Sequence, residues 1–199
     1  MIGTHLKELM SDSWYSHVEA QTPLTQGDLI LDCPVIAWPA GPLNLSGSEE
    51  SEILKGATIA IRADVVVMTQ ACDLENNKVD KVILCPHVSV SDYRTAWEEE
   101  KKRLKQNPTK KAWGSLLADI RDGYIWNLAI LNAGESDDLK TEHRAVDFHD
   151  VYTIPRGFLE SPFKQRGHPR LRLNPTYREI FHRRLPGFSC VLVCRSLLQ

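Results

Sequence analysis

Val65-Val66-Val67-Met68-Thr69-Gln70-Ala71-Cys72-Asp73-Leu74 is the stretch on which the fold turns. Three consecutive β-branched residues without polar alternation indicate a strand covered on both faces, and therefore central in a sheet. Gln70 to Asp73 closes that strand, Glu75 to Lys78 makes a turn, and Lys81-Val82-Ile83-Leu84-Cys85 returns as its antiparallel neighbour.

Working outward, Gly27 to Asp32 reads as a strand entered through a turn, and Ala57 to Ile61 as a short one; a loop rich in Pro, Gly and Ser separates them. At the amino end, Leu6, Leu9, Met10 and Trp14 give the spacing of one apolar helix face, so Thr4 to Ala20 is expected to be an amphipathic helix covering the sheet. On the other side, Ser89 to Gln106 is expected to be a helix with Tyr93, Trp97 and Leu104 as a narrow stripe and Glu98–Lys102 and Glu99–Arg103 pairs at i, i+4. Trp113, Leu116, Leu117 and Ile120 mark a second helix that Gly123 can end. Tyr124 to Leu131 and Arg144 to Ile154 read as further strands around an acidic loop at Gly134 to Asp138. Beyond Pro155, the prolines 162, 169 and 175 and Gly167 argue for irregular chain, then a short helix from Tyr177 to Arg184 and an apolar tail at Phe188 to Cys194.

The fold class is therefore α/β, of the α+β type: a small, mainly antiparallel, barrel-like sheet with an N-terminal helix and an inserted helical hairpin. Residues 1–199 are expected to form a single domain, with the helical insertion at 89–123 and a basic irregular segment at 155–184.

Composition supports a packed core, with 42% apolar and 25% charged residues. The five cysteines are odd in number and lack the dense spacing of a secreted disulfide framework, so reduced thiols and a cytoplasmic location are expected. No signal-like amino terminus and no run long enough for a spanning helix is visible, so no membrane association is expected. The net charge of -2 conceals an asymmetry: residues 1–100 carry 6 Lys/Arg against 16 Asp/Glu, and residues 101–199 carry 18 against 10. A polyanionic partner, an acidic protein partner, or attraction between the two halves would each account for it.

The motif Thr69-Gln70-Ala71-Cys72-Asp73-Leu74, with Leu173-Asn174-Pro175-Thr176-Tyr177-Arg178-Glu179 as a second landmark, resembles a group of uncharacterised prokaryotic proteins with a strand-end Thr/Ser-Gln-x-Cys-Asp-Leu signature. More distantly, residues 27 to 87 are similar to the opening of the MazF/PemK toxin barrel. That second resemblance implies an RNA-binding or RNA-cutting β-barrel, although no matched catalytic Arg and Ser/Thr pair can be placed.

Two polar constellations could carry chemistry. Cys72 and Asp73 at a strand end could act as nucleophile and acid, given a base such as His87 or His149; they suit a buried thiol and a turn carboxylate as well. Asp147 and His149 share one strand face at two-residue spacing, which fits an acid/base pair or a plain exposed face. Cys72, Cys85 and His87 lack the paired spacing of a zinc site, so no metal and no cofactor is expected, and no glycine-rich phosphate loop is present. In the basic segment, Arg170, Arg172, Arg178, Arg183 and Arg184 could meet phosphates while Tyr177 stacks on a base; equally, the arginines could neutralise acidic groups of the same chain.

These features lead to a non-catalytic binding or regulatory protein of a bacterial or phage conflict system, of toxin-antitoxin or defence type, contacting nucleic acid or a protein partner. The competing expectation is a MazF-like endoribonuclease or other hydrolase centred on Cys72 and Asp73, helped by Asp147 and His149.

Overall fold

The computed structural model describes residues 13–38, 56–136 and 139–183. The valine run is interior as expected: Val65, Val66, Val67 and Met68 are all 0% exposed. The three valines end β3 (Ile59–Val67), which pairs antiparallel with β2 (Leu29–Ala37) on one edge and β4 (Lys81–Ser89) on the other. Alternation along β3 splits the core in two. Val66 and Met68 point to one cluster with Leu29, Cys85, Leu131 and Val146, while Val65 and Val67 point to another with Ile30, Leu74, Leu84 and Ile154.

β4 is the hub. Its far edge is lined by two short strands, β8 (Arg144–Asp147) and β9 (Tyr152–Pro155), with β5 (Leu128–Leu131) next to β8. The expected single strand from Arg144 to Ile154 is thus one pass along β4 broken between Phe148 and Val151. The break has a cause: Asp147 Oδ1 accepts the His149 N–H at 2.8 Å, a local turn that competes with the ladder. The strand expected from Tyr124 begins only at Leu128.

Two further pairs complete the β structure of the described residues: β6 (Gly134–Ser136) with β7 (Leu139–Thr141), and β1 (Tyr15–Val18) with β10 (Arg170–Leu173). β1 corrects the expected amino-terminal helix, which cannot extend to Ala20. The apolar spacing that suggested it runs into Trp14, whose ring instead stacks on Tyr177 at 4.3 Å; residues 1–12 lie outside the described residues. The main sheet has the order β2-β3-β4-β8-β5 with β9 also on β4, and it is not a closed barrel. β1 approaches β5 through Tyr15, which shares a core cluster with Leu131 and whose hydroxyl donates to the carbonyl of Asn132, just past β5, at 2.7 Å.

Among the described residues the helices are α1 (Ala71–Glu75), α2 (Val90–Arg103), α3 (Lys110–Asp122), α4 (Arg156–Arg166) and α5 (Pro175–Arg183). Ser89 and Thr109 cap α2 and α3 through their hydroxyls, and Gly123 ends α3 at φ +86. Trp113 packs against Trp97 and Tyr93 between the two helices. Arg94–Glu98 and Arg103–Glu100 are the ion pairs that form on α2, in place of the two expected ones. The segment read as irregular from 155 to 184 carries α4 and β10, while the short helix expected from Tyr177 is α5, begun at Pro175. In β10, arginines and leucines alternate as Arg170-Leu171-Arg172-Leu173, a period-two signal outweighed in the sequence reading by the surrounding prolines.

Gly134 lies against Tyr15, and an added Cβ would overlap its ring. Because the Tyr15 hydroxyl is tethered, the ring has little room to withdraw. Gly134→Ala is expected to lower stability by about 1–3 kcal/mol in urea denaturation. Gly114→Ala, in mid-α3 where nothing lies within 4 Å, is expected to raise it by about 0.5–1 kcal/mol.

Candidate functional site

The Thr69 to Leu74 motif is a strand-to-helix junction. Thr69 Oγ1 accepts the Ile83 N–H at 2.7 Å, standing in for a backbone carbonyl as the ladder ends, and Leu74 anchors α1 in the core at 0% exposure. Cys72 therefore lies on a helix rather than at a strand end. It is exposed, and its contacts are Gln70 Oε1 at 3.5 Å and Asp73 Oδ1 at 4.0 Å. Asp147 holds the His149 backbone, and the His149 ring meets Trp126 edge-on at 4.7 Å. No hydrogen bond or ion pair among the described residues joins Cys72 and Asp73 to Asp147, His149 or His87. Burial pushes the Cys85 thiol up to about 12, and no three His, Cys, Asp or Glu side chains among the described residues could share one ion.

The expected nucleic-acid contacts fall in different places. Arg170 and Arg172 converge on Asp28, whose carboxylate is fully buried. Arg170 Nε donates to Oδ2 at 2.8 Å, Arg172 Nε donates to Oδ1, Arg172 Nη2 donates to Oδ2 at 3.0 Å, and the Thr25 N–H adds a fourth donor at 3.1 Å. The remaining Arg170 donors reach the carbonyls of Glu19, Thr22 and Pro23. Such a clamp consumes the forks that a phosphate would need. Tyr177 gives one face to Trp14, and Arg178 lies beside Gly27. Arg183 ends α5, and Arg184 is outside the described residues.

A different basic surface is assembled by the β2–β3 pairing. Between Ile30 and Cys33 the register slips, so Leu31 and Asp32 bulge outward. Asp32 sits at φ +54, in the left-handed region that Asp tolerates better than most residues, and its N–H donates to Asp64 Oδ1 at 2.9 Å. The other oxygen of Asp64 pairs with Arg144. Over the bulge runs a groove of about 730 Å³, lined by Leu31, Asp32, Arg62, Lys140, Arg166 and His168 among others. Arg62 and Arg166 come from β3 and from the end of α4. Both face Asp32 Oδ2, at 2.7 and 3.8 Å, and both donate to the Asp32 carbonyl at 3.3 Å. Among the described lining residues, the groove thus sets Arg62 and Arg166 against the carboxylate of Asp32.

Sequence reasoning missed these residues because they lie on separate segments, and only the left-handed Asp32 marks the bulge. Behind Asp64 lies a second feature: His87 on β4 is 2% exposed, and neither ring nitrogen has a well-formed hydrogen bond. Burial and the nearby Arg144 guanidinium hold its pKa down at about 4, opposed more weakly by Asp64 and the Val65 backbone.

No helix among the described residues is long and apolar enough to cross a membrane. Comparison with protein-family models, with curated proteins and with solved structures gave no match, so both sequence resemblances rest on the quoted motifs alone.

Proposed function

We propose that the protein is a non-catalytic binding module that takes single-stranded nucleic acid along the groove over the β2 bulge. The observation carrying this reading is the convergence of Arg62 and Arg166, from two distant elements, on one point of an open, net-positive groove of ligand size. Guanidinium forks match phosphate oxygens, and the groove's point charges suit a chain of repeating anions. The contact thereby moves from Arg170 and Arg172, which serve Asp28, to Arg62 on β3 and to Arg166 within the same basic segment.

The test is fluorescence anisotropy of a short labelled RNA across a salt series. Arg62→Glu with Arg166→Glu is expected to weaken binding about tenfold or more at low salt and to reduce the log–log salt slope by about 1.4, or ~0.7 per lost phosphate contact. Unchanged affinity in that variant would overturn the reading, as would equal displacement by polyglutamate. Cleavage of the RNA that disappears in Cys72→Ala would favour the hydrolase alternative.

A further inference from the structure

The Arg62–Arg166 clamp is already occupied, and we propose that its occupant, the Asp32 carboxylate, is a built-in competitor that an incoming phosphate must displace. The proposal rests on the nucleic-acid reading of the groove and adds to it an affinity-setting residue.

Three observations carry it. First, Asp32 Oδ2 lies where two guanidinium groups from different elements meet, 2.7 Å from Arg62 Nη1 and 3.8 Å from Arg166 Nη1. A phosphate oxygen bound by both arginines would take that same position. Second, the contact is open to solvent: the Asp32 and Arg62 side chains are each 59% exposed. Exposed ion pairs are weak, so a phosphate reaching both forks can displace the carboxylate.

Third, the clamp does not need the carboxylate to stay in place. Both arginines also donate to the Asp32 backbone carbonyl, and the backbone N–H of Asp32 is held by Asp64. The bulge is thus pinned through main-chain atoms on both sides of the residue whose side chain does the competing. An acidic side chain placed among the cations of an anion site lowers affinity for every phosphate and keeps the clamp ordered between binding events. Binding then swaps one anion for another and does not immobilise two free arginine side chains.

The experiment is RNA binding by Asp32→Asn, which keeps the preference for φ > 0 and removes the charge, and by Asp32→Gly, which suits that backbone without strain. Glu75→Gln, on the exposed surface of α1, controls for a general gain in positive charge. Both Asp32 variants are expected to bind the labelled RNA about three- to tenfold more tightly than the parent, and Glu75→Gln about as the parent does. The salt slope should stay the same, because the number of phosphates contacted is unchanged.

If the parent binds and the Arg62/Arg166 reversal abolishes binding, but neither Asp32 variant exceeds Glu75→Gln, the competitor role is overturned and the groove stands. Tight binding by the variants with none by the parent supports both, with the carboxylate closing the clamp fully. No binding by parent or variants at low salt overturns both.

Discussion

Asp28→Ala is expected to cost about 3–5 kcal/mol of stability, the range for removing one partner from a buried ion pair. The carboxylate is 0% exposed, and it receives three guanidinium N–H donors and the Thr25 N–H. Removing it leaves Arg170, itself only 6% exposed, next to Arg172 with no counter-charge between them. For a domain of this size the loss corresponds to a fall in Tm of about 6–20 °C. Arg172→Ala removes the more exposed partner and leaves the Arg170–Asp28 pair standing, so it should cost distinctly less. A Tm within about 2 °C of the parent for Asp28→Ala would mean that the clamp contributes little.

The second large effect is a loss of stability on acidification, traced to His87. Its folded pKa, about 4, lies below the ordinary value of 6.5 because burial and Arg144 disfavour the imidazolium. A depressed basic group leaves the unfolded chain binding the extra proton as pH falls. Its contribution is therefore intact above pH 6.5 and lost between 6.5 and 4, amounting to about 3 kcal/mol at 1.36 kcal/mol per unit. Urea denaturation at pH 7 and at pH 4 reads it directly. His87→Leu, which cannot take up a proton, should lose that much less stability over the same interval; an identical slope in parent and variant would place the acid sensitivity elsewhere.

How much of this was legible depends on how local each cause is. Val65 to Met68 could be read because four consecutive apolar residues have one physical solution, burial on both faces, and the structure buries all four completely. The α2–α3 hairpin could be read from the apolar spacing of Tyr93 and Trp97 and of Trp113 to Ile120, and from Gly123 as a terminator, because helix periodicity and capping act within a few residues. β1 could not: Tyr15 to Val18 is a strand because β10 lies alongside it, and nothing near Tyr15 in sequence announces that partner. The same limit hid the candidate site. Arg62, Arg166 and Asp32 share a groove only because a register slip in β2 turns Asp32 outward and α4 ends above it. For Arg170 and Arg172, phosphate contact and neutralisation within the chain were equally open from the sequence; the structure shows the second, and the fully buried acid could not be named because it lies 142 and 144 positions earlier.

That last separation has a consequence for how the chain comes off the ribosome. Asp28 must wait for 142 further residues before its first counter-ion exists, while β3, β4 and the helical hairpin can gather from neighbours already made. A nascent chain stalled before Arg170 would therefore leave β1 without its partner strand and Asp28 without its counter-ions, and the final knot in vectorial folding is tied by a pair of late arginines.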